Sequence, residues 1–288
     1  MASKREGTML ARPVNWNIAN KWEYYIAQSK YNGFHCNIRA VEGVVTLYSS
    51  YNNEFVSVPH INAIFEDKIR LGELLHTFER DGELYHHGMP LNILKMLVGR
   101  KNSLHPDYRI IQFHMFDVVD DRIQKYRIQQ HKDEFAIYDD TSIIRCIDHE
   151  ELYTMEDLGE FLNKSMRDAY EGLIIRNPNG FYERKKSSYI FKYKPRETDE
   201  YQIIGTTEER DYKTKEPKNR LGAFICIKDG QTFKVGTGPA LKQMDRDMYW
   251  KDREKFESGQ YWAVIVYPEL SGARGVPFQP VIKKVVMK

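Results

Sequence analysis

The sequence predicts an α+β domain over residues 1–195 followed by a small all-β barrel over residues 196–288. Three observations carry this. Strand-like alternation and helical spacing interleave up to about residue 195. A short, polar, proline-marked stretch, Pro195-Arg196-Glu197-Thr198-Asp199, then breaks the pattern. Beyond it lie short apolar-alternating runs with a single helical segment. A chain of 288 residues suits two domains, at roughly 150 residues each.

Each element follows from local pattern. In residues 34–58, Cys36, Ile38 and Ala40 alternate, and Val44, Val45 and Leu47 follow a Glu42-Gly43 turn, which predicts a hairpin. Residues 60–77 place Ile61, Ile64, Phe65, Ile69 and Leu71 as in a helix and loop. Residues 78–87 and 109–119 read as strands. Residues 121–135 and 154–170 have helical spacing, with Met155, Leu158, Phe161 and Leu162 on one face of the second. Strands return at 171–176 and 188–194. After the break come strands at 201–206, 221–228, 232–237 and 261–268, with a helix at 239–257. About ninety residues of this kind make an OB-fold the natural candidate. A basic loop over 210–220, with Lys213, Lys215 and Lys218, lies between barrel strands.

Composition removes several classes. The chain is 41% hydrophobic and 29% charged, which excludes a fibrous or wholly disordered protein. The most apolar stretch, Tyr261–Tyr267, is far shorter than the ~20 residues a membrane helix needs. The first residues hold no apolar core of a secretory signal, so a cytoplasmic protein is expected. Cys36, Cys146 and Cys226 are far apart, which supports neither a zinc ribbon nor a disulfide framework. A net charge of +2 is uninformative, but its distribution is not. Residues 107–160 are strongly acidic. Residues 184–194 carry Arg184, Lys185, Lys186, Lys192 and Lys194 with no acid, and the last fifteen residues are likewise purely basic. Basic stripes beside an acidic segment suggest a polyanion-facing side.

Candidate chemistry begins at Lys30-Tyr31-Asn32-Gly33, at the start of the predicted hairpin. Alone, this is an ordinary surface turn. Four further segments change its meaning. Asp81-Gly82-Glu83 and Glu171-Gly172 place carboxylates at strand starts. Phe116-Asp117 ends another strand with an aromatic ring. Lys192 and Lys194 share a strand face, because residues i and i+2 point the same way. Two carboxylates, an aromatic platform and three lysines can hold a base, a ribose, a triphosphate and a divalent metal.

In this order, the segments resemble the ATP-dependent DNA ligases of small viral and phage type, within the covalent nucleotidyltransferases. That family's K-x-D-G, D-G-E, F-D, E-G-x-x-x-R and K-x-K motifs match 30–33, 81–83, 116–117, 171–176 and 192–194. In the second region, Gly236-Thr237-Gly238, Tyr249-Trp250, 259–267 and 275–281 resemble the ligase C-terminal run. The resemblance implies an adenylation (nucleotidyltransferase) domain over 1–195, an OB-fold domain over 196–288, and ATP and Mg²⁺ as cofactors. It makes Lys30 the nucleophile that becomes lysyl-AMP, with Lys192 and Lys194 stabilising charge on the α-phosphate. Gln28, Glu83, Phe116 and Glu171 join these three lysines as nucleotide-binding residues, with Glu83 on the ribose, Phe116 on the adenine, and Glu171 and Glu83 as metal ligands. The implied partner is nicked duplex DNA, sealed by a monomer in replication, repair or recombination. The source is expected to be a phage or virus, with the protein in the infected cell.

The departures from the family pattern are specific. Asn32 replaces the aspartate, His35 an arginine two residues past the motif glycine, and Ser50 a later arginine. These three, with Arg39 as compensation, and Lys186, Lys213, Lys215, Lys218, Lys283 and Lys284 are the expected DNA contacts. Three alternatives remain: an RNA or mixed-strand ligase, an mRNA guanylyltransferase, and a non-catalytic nick- or end-binding protein. His86-His87 is read as no zinc pair, His114 as a structural strand histidine, and the Trp250 segment as a barrel-packing helix.

Overall fold

Alternation with period two writes most of the structure. The computed structural model describes residues 7–138, 141–267, 270–271 and 274–288, so Pro268 of the last expected barrel strand lies outside the described residues. Two compact units divide the chain, Met1–Tyr193 and Lys194–Lys288. The first holds, in order, β1 (Leu10–Pro13), α1 (Trp16–Ala19), β2 (Tyr25–Ser29), β3 (Phe34–Val41), β4 (Val44–Ser49), α2 (Pro59–Arg70), β5 (Phe78–Tyr85), α3 (Leu91–Val98), β6 (Gln112–Val118), α4 (Gln124–Asp133), β7 (Ile144–Cys146), β8 (Glu150–Leu152), α5 (Met155–Arg167), β9 (Leu173–Arg176) and β10 (Lys186–Tyr193).

These strands form two five-stranded sheets, ordered β1-β10-β9-β2-β8 and β4-β3-β5-β6-β7. Both are mainly antiparallel, but the edge strands β1 and β7 pair in parallel with β10 and β6. The β3–β4 hairpin buries Cys36, Ile38, Ala40, Val45 and Leu47 against Ile61, Phe65 and Ile69 of α2. Helix α5 starts at a capping box. Thr154 Oγ1 accepts from the Asp157 amide at 3.0 Å, and the Asp157 carboxylate accepts from the Thr154 amide at 2.9 Å. Its Leu158, Phe161 and Leu162 pack on Ala27, Ile175 and Phe191 of the first sheet, each such burial stabilising by about 1.5–3 kcal/mol. Met155, expected on the same face, is exposed, because it occupies the first turn.

The second unit comprises β11 (Glu197–Arg210), β12 (Pro217–Lys228), β13 (Gln231–Gly236), α6 (Gln243–Lys251), β14 (Tyr261–Tyr267) and β15 (Val281–Met287). The strands close a barrel in the order β11-β12-β13-β15-β14 around Ile203, Phe224, Phe233, Val235 and Ile265. Strand β11 pairs with β14 at one end and β12 at the other, and bulges let it bend between them. Tyr249 and Trp250 pack on the barrel core.

Several boundaries differ from the sequence reading. The polar stretch at 195–199 is strand from Glu197 onward, because Glu197, Thr198 and Asp199 pair with Tyr267, Val266 and Ile265. The expected strand at 109–119 begins only at Gln112, after a single 3₁₀ turn at Tyr108–Ile110. The basic loop at 210–220 shrinks to 211–216, since Arg210 pairs with Pro217. The helix at 239–257 is α6 followed by a 3₁₀ segment, Arg253–Ser258.

Candidate active site

Strands β2 and β9 run antiparallel, with Ser29 opposite Leu173. The ladder continues past the strand ends. The Lys30 amide donates to the Gly172 carbonyl at 2.8 Å, and the Glu171 amide donates to the Lys30 carbonyl at 3.0 Å. Gly172 sits at φ 141°, a backbone state few L-residues adopt. This rung brings the two side chains together, with Lys30 Nζ 2.5 Å from Glu171 Oε2. Nζ also donates to the Tyr31 carbonyl at 3.1 Å.

A cavity of about 770 Å³ opens beside this pair within the first unit. Lys30, Gln28, Glu83, Phe116, Ile174 and Lys192 line it. Gln28 is buried and doubly bound, donating to the Phe116 carbonyl at 3.1 Å and accepting from Arg176 Nε at 3.0 Å. The Arg176 guanidinium lies 5.3 Å from the Phe116 ring centroid, and His35 meets that ring edge-on at 5.5 Å. Glu83 Oε1 accepts the Gly33 amide at 3.0 Å. A Cβ at Gly33 would stand 2.4 Å from the Leu84 carbonyl oxygen, so only glycine allows that approach. Burial raises the Glu83 pKa above the usual carboxylate range, against the pull of His35, Lys30 and the Gly33 amide.

Behind the cavity, fully buried Asp117 accepts from Arg127 Nε at 3.0 Å, Arg176 Nη1 at 2.9 Å and Gln124 at 3.2 Å. This network fixes Arg176, which in turn fixes Gln28. His35 Nε2 lies 2.6 Å from Asp81 Oδ1, and Tyr182 donates to the other Asp81 oxygen at 2.7 Å. Burial disfavours the His35 cation, but Asp81 outweighs it, so the pKa lies above the ordinary histidine value.

The expected residues divide into groups. Lys30, Gln28, Glu83, Phe116 and Lys192 share the cavity, and Glu171 joins through Lys30. His35, Ser50 and Lys186 also line it. Lys194 does not, and follows the end of β10 at Tyr193, so the argument from a shared strand face stops one residue short. Asn32 is exposed and outside the cavity lining. Arg39 is held by Asn37 (2.7 Å), Asn52 (3.0 Å) and Glu79 (3.6 Å) rather than directed to the cavity. In the second unit, Lys213 and Lys215 lie in the 211–216 turn. Lys218 is in β12, 3.2 Å from Glu209 and 3.5 Å from Asp211. Lys283 and Lys284 are both exposed on β15, because a bulge opposite Val264 and Ile265 breaks the alternation.

Sequence reasoning gave no role to Arg176, although it stands in the Glu171-to-Arg176 motif. It also missed β1, whose Leu10 and Arg12 line the cavity together with Met9 just before it. A four-residue strand ending in proline carries almost no periodicity.

Two carboxylates near Lys30 offer hard oxygen donors. They fit a magnesium ion, which takes one or two carboxylates and completes its shell with phosphate and water.

The family model for the ATP dependent DNA ligase domain matches residues 8–194. The DNA ligase of African swine fever virus (strain Badajoz 1971 Vero-adapted) is 27% identical over 277 residues, covering 88% of this chain and 61% of the viral protein. The chain thus spans about three fifths of the length of the curated relatives it matches first. Two solved structures share the fold. A Lig E DNA ligase superposes with TM-score 0.69 at 18% identity, over 98% of this chain and 99% of that one. The ATP-dependent DNA ligase of bacteriophage T7, in complex with ATP, gives 0.57 at 18% identity, over 100% and 99%. With its motifs gathered on one cavity inside the matched region, the chain belongs to the ATP-dependent DNA ligase domain family.

Proposed function

We propose that the chain is an ATP-dependent DNA ligase that seals nicks in duplex DNA. The observation that carries this is Lys30, 2.5 Å from Glu171 and at the wall of a cavity that also presents Phe116, Glu83 and Lys192. ATP is the nucleotide, in keeping with the family and with the ATP bound to the T7 relative. Phe116 stacks on the adenine, held from behind by Arg176. Glu83 keeps lone pairs beyond the one bound to Gly33 and accepts from a ribose hydroxyl.

The amine of Lys30 attacks the α-phosphorus. A P–N bond forms, the bond to the bridging oxygen breaks, and pyrophosphate leaves. Only the free amine is nucleophilic, and Glu171 is placed to take the proton. Lys192 neutralises charge on the phosphoryl oxygens, with Lys194 as a further cation. AMP then passes to a 5′-phosphate, and a 3′-hydroxyl displaces it to join the strands. Glu171 and Glu83 would hold Mg²⁺, which supplies charge neutralisation at the phosphates when bound.

The first unit is read as the adenylation domain, and the barrel, with helix α6 packed on it, as an OB-fold. Asn32, His35, Ser50, Lys186, Lys213, Lys215, Lys283 and Lys284 remain the candidate DNA contacts, while the other two expected contacts, Arg39 and Lys218, are already paired with Glu79 and with Glu209 and Asp211. The working form is read as a monomer. The viral relatives support a virus-encoded protein acting in the infected cell. No helix among the described residues is long and apolar enough to cross a membrane.

Incubation with α-labelled ATP and Mg²⁺, then a denaturing gel, tests the reading. Wild type is expected to carry covalent label and Lys30→Ala none. A nicked-duplex chase is expected to discharge the label into sealed product. Label that only RNA-containing nicks discharge would move the substrate to RNA. No label on wild type would overturn the enzyme.

A further inference from the structure

Lys30 Nζ meets the Glu171 carboxylate at 2.5 Å and donates to the Tyr31 carbonyl at 3.1 Å, while the backbone rung to Gly172 and Glu171 holds the residue itself. The contact with the Tyr31 carbonyl is only as firm as Tyr31.

The Tyr31 side chain is unusually well held. Its ring centroid is 4.7 Å from that of Tyr85 at 76°, 5.0 Å from that of His114 and 4.7 Å from that of Tyr170. The Tyr31 hydroxyl donates to the Tyr170 hydroxyl at 3.3 Å. Tyr170 in turn meets His87 at 5.2 Å, and the Tyr85 hydroxyl lies 2.9 Å from His87 Nδ1. Tyr85 is the last residue of β5 and His114 lies in β6 of one sheet. Tyr31 and Tyr170 flank the Lys30–Glu171 rung, where β2 and β9 of the other sheet end. Aromatic pairs of this geometry contribute beyond their burial. The five rings therefore tie the two sheets together one residue away from the nucleophile on one side and one from its carboxylate on the other.

We propose that the Tyr31–Tyr170 contact is a clasp that positions Lys30 during adenylation, with Tyr31 a positioning residue for that step. It acts through its own carbonyl on Nζ and through Tyr170 on the Glu171 backbone. This rests on the ligase reading above. Holding a reacting group in an attack geometry matters most for the step in which that group reacts. Joining a strand that already carries AMP does not use the Lys30 amine as nucleophile, so the clasp is irrelevant there.

The test measures two single-turnover rates on the full chain: adenylation with saturating α-labelled ATP, and sealing of a pre-adenylated nick without ATP. For Tyr31→Leu, adenylation is expected to slow about tenfold or more, while the KM for ATP and the pre-adenylated sealing rate stay within about threefold. Tyr31→Phe, which keeps the ring and loses only the 3.3 Å contact, is expected to retain adenylation within about threefold. Equal slowing of both steps by Tyr31→Leu would make the residue merely structural and overturn the clasp, as would no slowing of either. Equal losses in the Phe and Leu variants would assign the effect to the hydroxyl and also overturn it. Should Tyr31→Leu fail to fold, Tyr170→Leu removes the clasp from the other side and carries the same expectations. Wild type that takes no label at all would instead overturn the ligase reading, a result separate from any variant.

Discussion

The two ends of the cavity differ in how their polar groups are held. At the end built from β2, β6 and β9, each group is locked by another: Gln28 by Phe116 and Arg176, Arg176 by Asp117, and Asp117 by Arg127 and Gln124. At the end where β3 begins and β4 leaves the sheet, the family's charged residues are replaced by His35 and Ser50, and Asn32 stands exposed. Arg39, the nearby cation, is tied to Asn37, Asn52 and Glu79. On the proposed reading, the locked end serves adenylation and the altered end meets the polynucleotide. The difference teaches that the departures from the family pattern lie outside the Asp117 network, with His35 tied instead to the buried Asp81 carboxylate at 2.6 Å.

The strongest way to break this contrast is to unlock the first end. Asp117→Ala leaves two buried guanidinium groups without their shared carboxylate, and losing one partner of a buried pair costs about 3–5 kcal/mol. Urea unfolding is expected to show a loss of that order, with weakened adenylation. Ser50→Ala is expected to stay within about 1 kcal/mol of the parent. Comparable losses in both would show that the two ends are equally structural.

Acid sharpens the same contrast. Burial and the nearby Arg145 push the His114 pKa down to about 3. The unfolded value is near 6.5. Between these values the unfolded chain binds the extra proton, so stability is present above the unfolded pKa and lost as pH falls. The loss from this group is at most about 1.4 kcal/mol per pH unit. His114→Gln is expected to flatten the stability–pH curve between about pH 6 and 4. An unchanged slope would show that His114 is not the group being protonated.

How much of this was legible follows from particular residues. The helical spacing of Leu158, Phe161 and Leu162 and the Glu42-Gly43 turn are local patterns, so α5 and the β3–β4 hairpin could be read directly. Lys30, Glu83, Phe116 and Glu171 were legible because their order matched a family, not because spacing revealed a cavity. Strands β1, β7 and β8, of three or four residues, were hidden, since such short runs show no period. The exposure of both Lys283 and Lys284 was hidden too, because a bulge is a property of pairing. Charge counting also overstated the basic loop. Lys218 faces Glu209 and Asp211, and Arg220 lies 3.8 Å from Glu209 and 3.7 Å from Asp247.

That pairing gives a third, smaller expectation. A lysine that neutralises a DNA phosphate adds about 0.9 to the slope of log affinity against log salt. Replacing Lys213 and Lys215 together is expected to reduce the slope for nicked duplex by about 1–2. Lys218→Ala is expected to change it by less than about 0.5, because its charge is already compensated within the barrel. A larger loss at Lys218 would mean that DNA displaces Glu209 and Asp211 from it.

The smallest effect tests the altered end directly. Asn32 is exposed and lines no part of the cavity, so Asn32→Asp changes a charge without disturbing packing. Surface changes of this kind move stability by only about 0.5 kcal/mol or less. An asparagine keeps the hydrogen-bonding geometry of aspartate and loses its charge. If Asn32 positions the 3′-end or a metal-bound water, the missing charge burdens the later steps alone. Sealing of a pre-adenylated nick by Asn32→Asp is then expected to rise about two- to fivefold, a difference of about 1 kcal/mol or less in the barrier. Adenylation is expected to stay unchanged, because Lys30 is fixed by Glu171, Gly172 and Tyr31 and by nothing at position 32. Faster adenylation would join Asn32 to the locked end and remove the division between the two.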